Sequence, residues 1–324
     1  MTTSLATPPR LSSRRPSTAA TTARAVLAVG AGLSAVAFAI AVVGLIVDPT
    51  ELTGAPAWMK PAKFAFSIAV FLLTLRWILS YVRGHDRLLA VLSTVITLAL
   101  VAEIALVEMQ VLRGTTSHYN EATDFDAAVF YAMGGIVSLV VIATIAAGVL
   151  ALRQRGLDPG LAAGLRWGIG ISVLGMLSAL TMIFNKGWND SGGHTVGAPD
   201  GGPGIPITGW SLEHGDLRIG HFVGLHALQL LPLLAWALLR WTHLDPTTRS
   251  HLLAVAGATY TAVVLLVIWQ ATRGQSVVRP DGATLAVAAA LAGLAAVAAV
   301  AVLRHPIGKG ASDDHPVVGG PLAP

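Results

Sequence analysis

The chain of 324 residues contains no cysteine. Disulfides, thiolate metal sites and redox pairs of the C-x-x-C kind are thereby excluded. Charge is scarce too, at 12% Asp, Glu, Lys and Arg, against about a quarter in ordinary soluble domains. Aromatic residues reach only 6%. A GxxxxGK[ST] phosphate loop, a GxSxG nucleophile elbow, an HExxH zinc helix and paired HxxxH motifs are all missing. The common phosphate-loop, hydrolase and desaturase chemistries therefore have no footing. A net charge of +4 and an isoelectric point near 9.8 do not imply a nucleic-acid partner. The basic residues sit in short segments between apolar runs and form no basic domain.

What is present is apolar. Hydrophobic residues make up 54% of the chain, and the mean hydropathy is +0.69. A lipid bilayer as solvent accounts for this, since a spanning helix needs about 20 apolar residues. Eight runs qualify: Ala25–Val47, Pro61–Val82, Leu88–Leu112, Ala127–Leu152, Leu161–Phe184, Ile219–Leu239, Leu252–Ala271 and Thr284–Leu303. The first is longer than the roughly 7–15 apolar residues of a signal peptide, so it is kept as a span. The fold class expected is all-α, a polytopic transmembrane bundle of about eight spans over residues 25–304, with a lid loop at 185–216. Residues 1–24 and 305–324 are expected to be disordered cytoplasmic tails, being Ser-, Pro- or Gly-rich without apolar period. Gly160, Gly164 and Gly168 form a small-xxx-small ladder, which predicts a helix-packing seam.

Orientation follows from the positive-inside rule. With the N-terminus inside, fourteen of the 21 Lys and Arg residues fall on the inner side and seven on the outer. The expected location is a bacterial plasma membrane with a cytoplasmic N-terminus, the lipid bilayer being the one partner the composition names. The outer side then carries the two long polar connections. One runs from Arg113 through His118, Tyr119, Asn120 and Glu121 to Asp126. The other, the expected lid, holds Trp188, His194, a Gly/Pro stretch, Trp210, Glu213 and His214. Trp58, Trp188 and Trp210 on this side, with Trp77 and Trp241 on the other, suit interfacial belts.

Ionisable groups also enter the spans. Glu103 and Glu108 lie on the third, Lys63 at the start of the second, and His221 and His226 on the sixth. A charge in hydrocarbon costs several kcal/mol unless paired, so each is a functional candidate by default. Glu103 would sit about 13 Å below the outer boundary at 1.5 Å per residue. Gln110 shares its face at i+7, and Gln229 shares that of His226 at i+3. The inner halves of these helices are apolar, which points to a cavity open outward and closed inward. The leading expectation is a site in the outer leaflet that binds a small-molecule ligand or a metal, with enzymatic chemistry left open. Glu103 and His226 are the candidate catalytic groups. Lys63, Gln110, Arg113, His118, Asn120 and Gln229 are candidate ligand-binding groups, with Lys63 the charge partner of Glu103. His221, His226, His194 and His214 are candidate metal ligands, a His and carboxylate set suiting zinc, copper or non-haem iron. His221 and His226 differ by roughly 140° around their helix, so the two do not converge on one ion or haem. Two alternatives stand beside this reading: a proton-coupled transporter with Glu103 as carrier, and a structural or assembly subunit docking a protein partner through the outer loops.

The segments Trp58 to Phe64, Arg113-Gly114, Ser117 to Asn120, Asp200 to Gly204, Gly215 to Arg218, His221-Phe222 and Gly224 to Gln229 resemble a family of bacterial multi-pass membrane proteins to which no activity is attached. The resemblance covers most of residues 58–239. It implies a bacterial inner-membrane location and no ligand or catalytic role.

Overall fold

A computed structural model of the protein describes residues 17–304. Eight helices long and apolar enough to span a membrane account for most of them. In chain order these are α1 (Thr18–Val47), α2 (Met59–Leu79), α3 (Asp86–Leu112), α4 (Asp124–Leu152), α5 (Pro159–Ser178) with its short continuation α6 (Leu180–Phe184), α7 (Arg218–Trp241), α8 (Pro246–Thr272) and α9 (Gly282–Arg304). The protein is an all-α multi-pass membrane bundle. All eight expected spans are present, most of them starting a few residues earlier than the apolar run, while α2 stops at Leu79, short of Val82. α1 begins at Thr18 rather than Ala25, because the Ser17 hydroxyl accepts from the Ala20 N–H at 3.1 Å and starts the helix early. The remainder of the two expected tails, residues 1–16 and 305–324, lies outside the described residues.

Local chemistry sets several helix starts. Asp158 caps α5 by accepting from Leu161 N and is followed by Pro159 in the first turn. Asp245 does the same for α8 ahead of Pro246, accepting from Thr247 and Thr248. Thr123 caps α4, accepting from Asp126 N. Both motifs satisfy amide groups that a helix start leaves without partners.

Packing uses small residues where helices touch. Along α1 the buried stripe is Ala23, Leu27, Gly30, Ala31, Ser34, Ala41 and Gly44, a spacing that keeps one face towards α2 and α3. A Cβ on Gly30 would lie 2.4 Å from Thr97 of α3. The expected glycine ladder is a seam: Gly164 sits over Leu231 and Ala235, and Gly168 over Ala227 and Pro232, all of α7. Gly160 packs instead on Arg249 of α8. The seam continues to Gly175 and Gly224, whose backbones meet so closely that a Cβ on Gly175 would lie 2.6 Å from Gly224 C. Without a hydrophobic drive between helices in lipid, such close approach is a principal source of association. α9 packs along α8 and buries little beyond Thr284. Among the tryptophans, Trp188 and Trp241 are exposed, whereas Trp58 is buried over Gly44 of α1 and donates to Asp48 at 2.8 Å. Trp58 is therefore a packing residue and not part of a lipid-facing belt.

The two faces of the bundle differ. One carries only short turns among the described residues. The other, the lid face, gathers the hairpin β1 (Glu51–Leu52) and β2 (Ala55–Pro56), residues 113–123, residues 185–217 and residues 273–281. The longest of these is an ordered lid. Its ends are clamped by β3 (Thr195–Val196) pairing antiparallel with β4 (Gly215–Asp216), and its middle is closed by a bridge between Gly204 and Ser211. The other connections hold it down. Asn189 donates to the Tyr119 carbonyl at 3.0 Å, and Ser276 Oγ to the Ser211 carbonyl at 2.8 Å. The left-handed turn Thr53-Gly54 of the hairpin touches the Gly201 carbonyl.

Candidate functional site

Under the lid, α2, α3, α7 and the 113–123 connection bring charged groups together. Lys60 and Lys63, three residues apart on the first turns of α2, share a face. Lys63 Nζ donates to the Thr208 carbonyl at 3.0 Å. Arg218, at the start of α7, donates to the next carbonyl along, Gly209. Two cations thus hold one turn of the lid, the turn that contains Ile207 in the left-handed region at φ +69°. A β-branched residue adopts that backbone only under constraint.

Asp216 anchors the far side. It is fully buried and accepts from Arg218 N at 3.1 Å, Arg218 Nε at 2.9 Å, Arg218 Nη2 at 2.6 Å and Ser211 N at 3.0 Å. Burial pushes its carboxyl up, but the Arg218 bonds and charge outweigh this and hold it below the ordinary carboxylate value. His194 Nδ1 lies 3.3 Å from Asp200 and 3.9 Å from Asp216. Burial, then the Arg218 charge, lower His194 to about 4 despite the two carboxylates, so its ring is neutral at pH 7.

Lys60 differs from its two cationic neighbours. It interacts electrostatically with Arg218, Lys63, Glu103 and Asp200, yet its ammonium makes no hydrogen bond or salt bridge with any described residue; the nearest ring is Phe64, 5.9 Å away at its centroid. The ring of Phe64 meets that of His118 edge-on at 5.7 Å. Burial, then the Lys60 charge, keep His118 neutral, well below the usual imidazole value. Tyr119, next to it and in the left-handed region at φ +54°, is pushed up to about 12 by burial and by Asp200. Across from Lys60, Glu103 on α3 is 1% exposed and neither carboxylate oxygen has a hydrogen-bond partner. Lys60 is the one cation whose charge reaches Glu103, and the two form no salt bridge within 4.0 Å.

The remaining expected site residues are placed as follows. Gln110 donates to Asp126 at 2.8 Å and Arg113 to the same carboxylate at 3.3 Å; with the Thr123 hydroxyl at 2.7 Å they form a knot at the start of α4. The Gln110 Oε1 is left without a partner. Asn120 is consumed by its own loop, bonding Thr115, Thr116 and Ala122. His221 Nδ1 donates to the Gly175 carbonyl at 2.7 Å and so ties α7 to α5. His226 stacks edge-on against Phe222 at 4.3 Å, with Gln229 donating to its Nδ1 at 3.3 Å. His214 lies beside Gly197 in the lid. Among the described residues no group of three or more His, Asp or Glu side chains is close enough to hold a metal ion. His221, His226, His194 and His214 serve four separate places.

The sequence points to Glu103 with Lys63 as its charge partner. Lys60 is the cation facing Glu103, while Lys63 turns up to the lid. Asp216, Arg218 and Asp200 were not singled out as site residues. The signal for Lys60 was its i, i+3 spacing from Lys63 at a helix start. The signal for Asp216 and Arg218 was an acid and a base two residues apart at the end of a long loop.

The fold and this cluster define a multi-pass membrane protein with a lidded polar site at one end of the bundle. No family model, no curated protein and no solved structure matches the chain.

Proposed function

We propose that the protein binds a small charged ligand in the lid-covered cluster around Lys60 and Glu103, the ligand entering from the lid side of the membrane. The observation that carries this reading is the unsatisfied pair itself. A buried polar group is ordinarily hydrogen-bonded, and a charge left alone within a bundle costs several kcal/mol. Here a buried carboxyl group with two unpartnered oxygens lies within electrostatic reach of the half-buried Lys60, whose ammonium bonds no described residue, while every other charge in the cluster is spent on holding the lid. Such a pair is retained at a stability cost because something else completes it. The donor set does not support a resident metal, and no residue is assigned a bond-breaking role.

Orientation and location complete the proposal. The excess of Lys and Arg on the face opposite the lid supports a cytoplasmic N-terminus and an extracytoplasmic lid, in a bacterial plasma membrane. Thermal unfolding of purified protein in mild detergent tests the function, with orthophosphate, acetate, ethylammonium and O-phosphoethanolamine as probes. A saturable rise in melting temperature is expected with at least one of them, absent in Lys60→Met. No response to any of these probes, together with no headgroup preference among lipids retained in nanodiscs, overturns the reading.

A second reading is favoured by one further observation. Ser93 and Thr97, deeper on α3 than Glu103, are buried with hydroxyls that have no partner. These support a polar path on towards the opposite face and hence proton-coupled transport with Glu103 as carrier. Reconstituted protein that acidifies liposomes only when Glu103 is intact would favour it; proton-tight liposomes would remove it.

A further inference from the structure

We infer that the ligand of this site is a zwitterion, an ammonium joined by a short spacer to a carboxylate or phosphate, with the ammonium on Glu103 and the acid group on Lys60, Lys63 and Arg218. The inference rests on the ligand-binding reading above and deepens it.

The two ends of the cluster ask for opposite chemistry. Near the lid three cations converge. Lys63 and Arg218 each give one bond to the lid turn, and Lys60, which feels both of their charges, gives none. Deeper, the unpartnered atoms are acceptors: Glu103 Oε1 and Oε2, with Gln110 Oε1 two turns nearer the lid on the same face of α3. Glu103 is nine residues from the lid-side end of α3, about 13 Å along the axis. Lys60 is the second residue of α2, so its long side chain must reach inward to face Glu103. Acid-binding groups therefore lie towards the lid and the ammonium-binding group towards the bundle interior.

Single-charge ligands fit only half of this. A plain anion would meet the cations but leave both Glu103 oxygens buried without a donor. A plain cation would satisfy Glu103 while lying beside Lys60, with Lys63 and Arg218 behind it. Like charges placed together in a low-dielectric site are strongly unfavourable. A zwitterion satisfies both ends; it adds no net charge when its acid group is a carboxylate or a phosphodiester, and about one negative charge, placed on the three cations, when it is a phosphate monoester. The aromatic edge formed by Phe64 and His118 beside Lys60 supplies an apolar wall for its spacer. Two sources share this chemistry: a free solute, and the phosphoethanolamine headgroup of a bilayer lipid.

Isothermal titration of the full chain in detergent separates the outcomes, with O-phosphoethanolamine, ethyl phosphate and ethylammonium as probes. O-phosphoethanolamine is expected to bind at least tenfold more tightly than either half. Glu103→Gln should remove that advantage while leaving ethyl phosphate binding within twofold, and Lys60→Met should weaken both phosphates. Glu103→Asp, with the melting temperature as a fold control, guards against a variant that does not fold. Equal binding of ethyl phosphate and O-phosphoethanolamine, or an advantage that survives Glu103→Gln, overturns the zwitterion and leaves the ligand-binding reading standing. If none of the three binds, the same protein in nanodiscs decides the source. Retention of phosphatidylethanolamine over phosphatidylglycerol, lost in Glu103→Gln, assigns the lipid headgroup. No binding and no lipid preference overturns both readings.

Discussion

The two faces of the bundle treat buried charge in opposite ways. On the face with short turns, Arg249 and Asp158 form a 2.6 Å pair with side chains only 10% and 18% exposed. Arg249 also donates to the Leu244 carbonyl, and Asp158 caps α5. Both charges have partners, and the pair joins α8 to the start of α5. On the lid face, Asp216 and Arg218 are matched in the same manner, but beside them Lys60 and Glu103 stand apart. Matched charge holds elements together. Unmatched charge is what the proposed ligand would complete.

The contrast predicts substitutions with opposite signs. Arg249→Ala leaves Asp158 uncompensated and is expected to cost about 3 kcal/mol, as for other broken buried pairs, seen as a large fall in melting temperature in detergent. An unchanged melting temperature would break the comparison at its structural end. Gly175→Ala, which drives a methyl into the Gly224 backbone, is expected to cost about 2 kcal/mol through overpacking. It should not alter the ligand response per folded molecule. The double change Lys60→Met with Glu103→Met is expected to do the reverse, raising stability by about 1–2 kcal/mol because two separated charges are replaced by apolar groups, while abolishing binding. A loss of stability there would make the pair structural after all.

Two smaller effects sharpen the picture of the lid. The folded value of about 4 for His194 lies below the ordinary 6.5, so the closed lid binds fewer protons there than an opened one. Lid closure is therefore fully present above about pH 6.5 and weakens as the pH falls from there towards 4. Asp216, lowered below 3.8, adds a loss of its own only at still more acidic pH. Trp210 emission should follow this weakening, and His194→Gln should flatten it between pH 6.5 and 4; a flat profile in the unaltered protein would deny the coupling. Ile207→Gly relieves a left-handed β-branched residue and is expected to stabilise the lid turn by up to about 1 kcal/mol, measurable as slower amide exchange over residues 205–210. Faster exchange would show that the Ile207 side chain holds the turn.

How far the sequence reached can be judged residue by residue. The spans were legible because lipid forces about 20 apolar residues in a row, whereas the starts set by the caps at Thr123, Asp158 and Asp245 lie ahead of the apolar runs and are not given by hydropathy. The glycine ladder was legible as a seam, though not that Gly160 would leave α7 for α8. Glu103 was legible because a carboxylate is conspicuous inside an apolar helix. Gln110 and Arg113, expected to meet ligand, both bond Asp126, since an acid sixteen and thirteen residues on in sequence returns beside them once the 113–123 connection turns back, while the Gln110 Oε1 stays without a partner. Asn120 is absorbed by its own loop for a similar local reason.

By itself, then, the sequence determined the number of spanning helices, the all-helical class and the presence of an ordered lid, because each follows from hydropathy, spacing or composition within one segment. Only the tertiary structure decided which charges meet. Lys60 rather than Lys63 is the cation whose charge reaches Glu103, Asp216 claims Arg218, and the four histidines that were candidate metal ligands belong to no group of three or more ligating side chains among the described residues. Pairing between helices depends on the rotation of each about its axis and on how closely glycines let backbones approach, and neither quantity is written in any single run of residues.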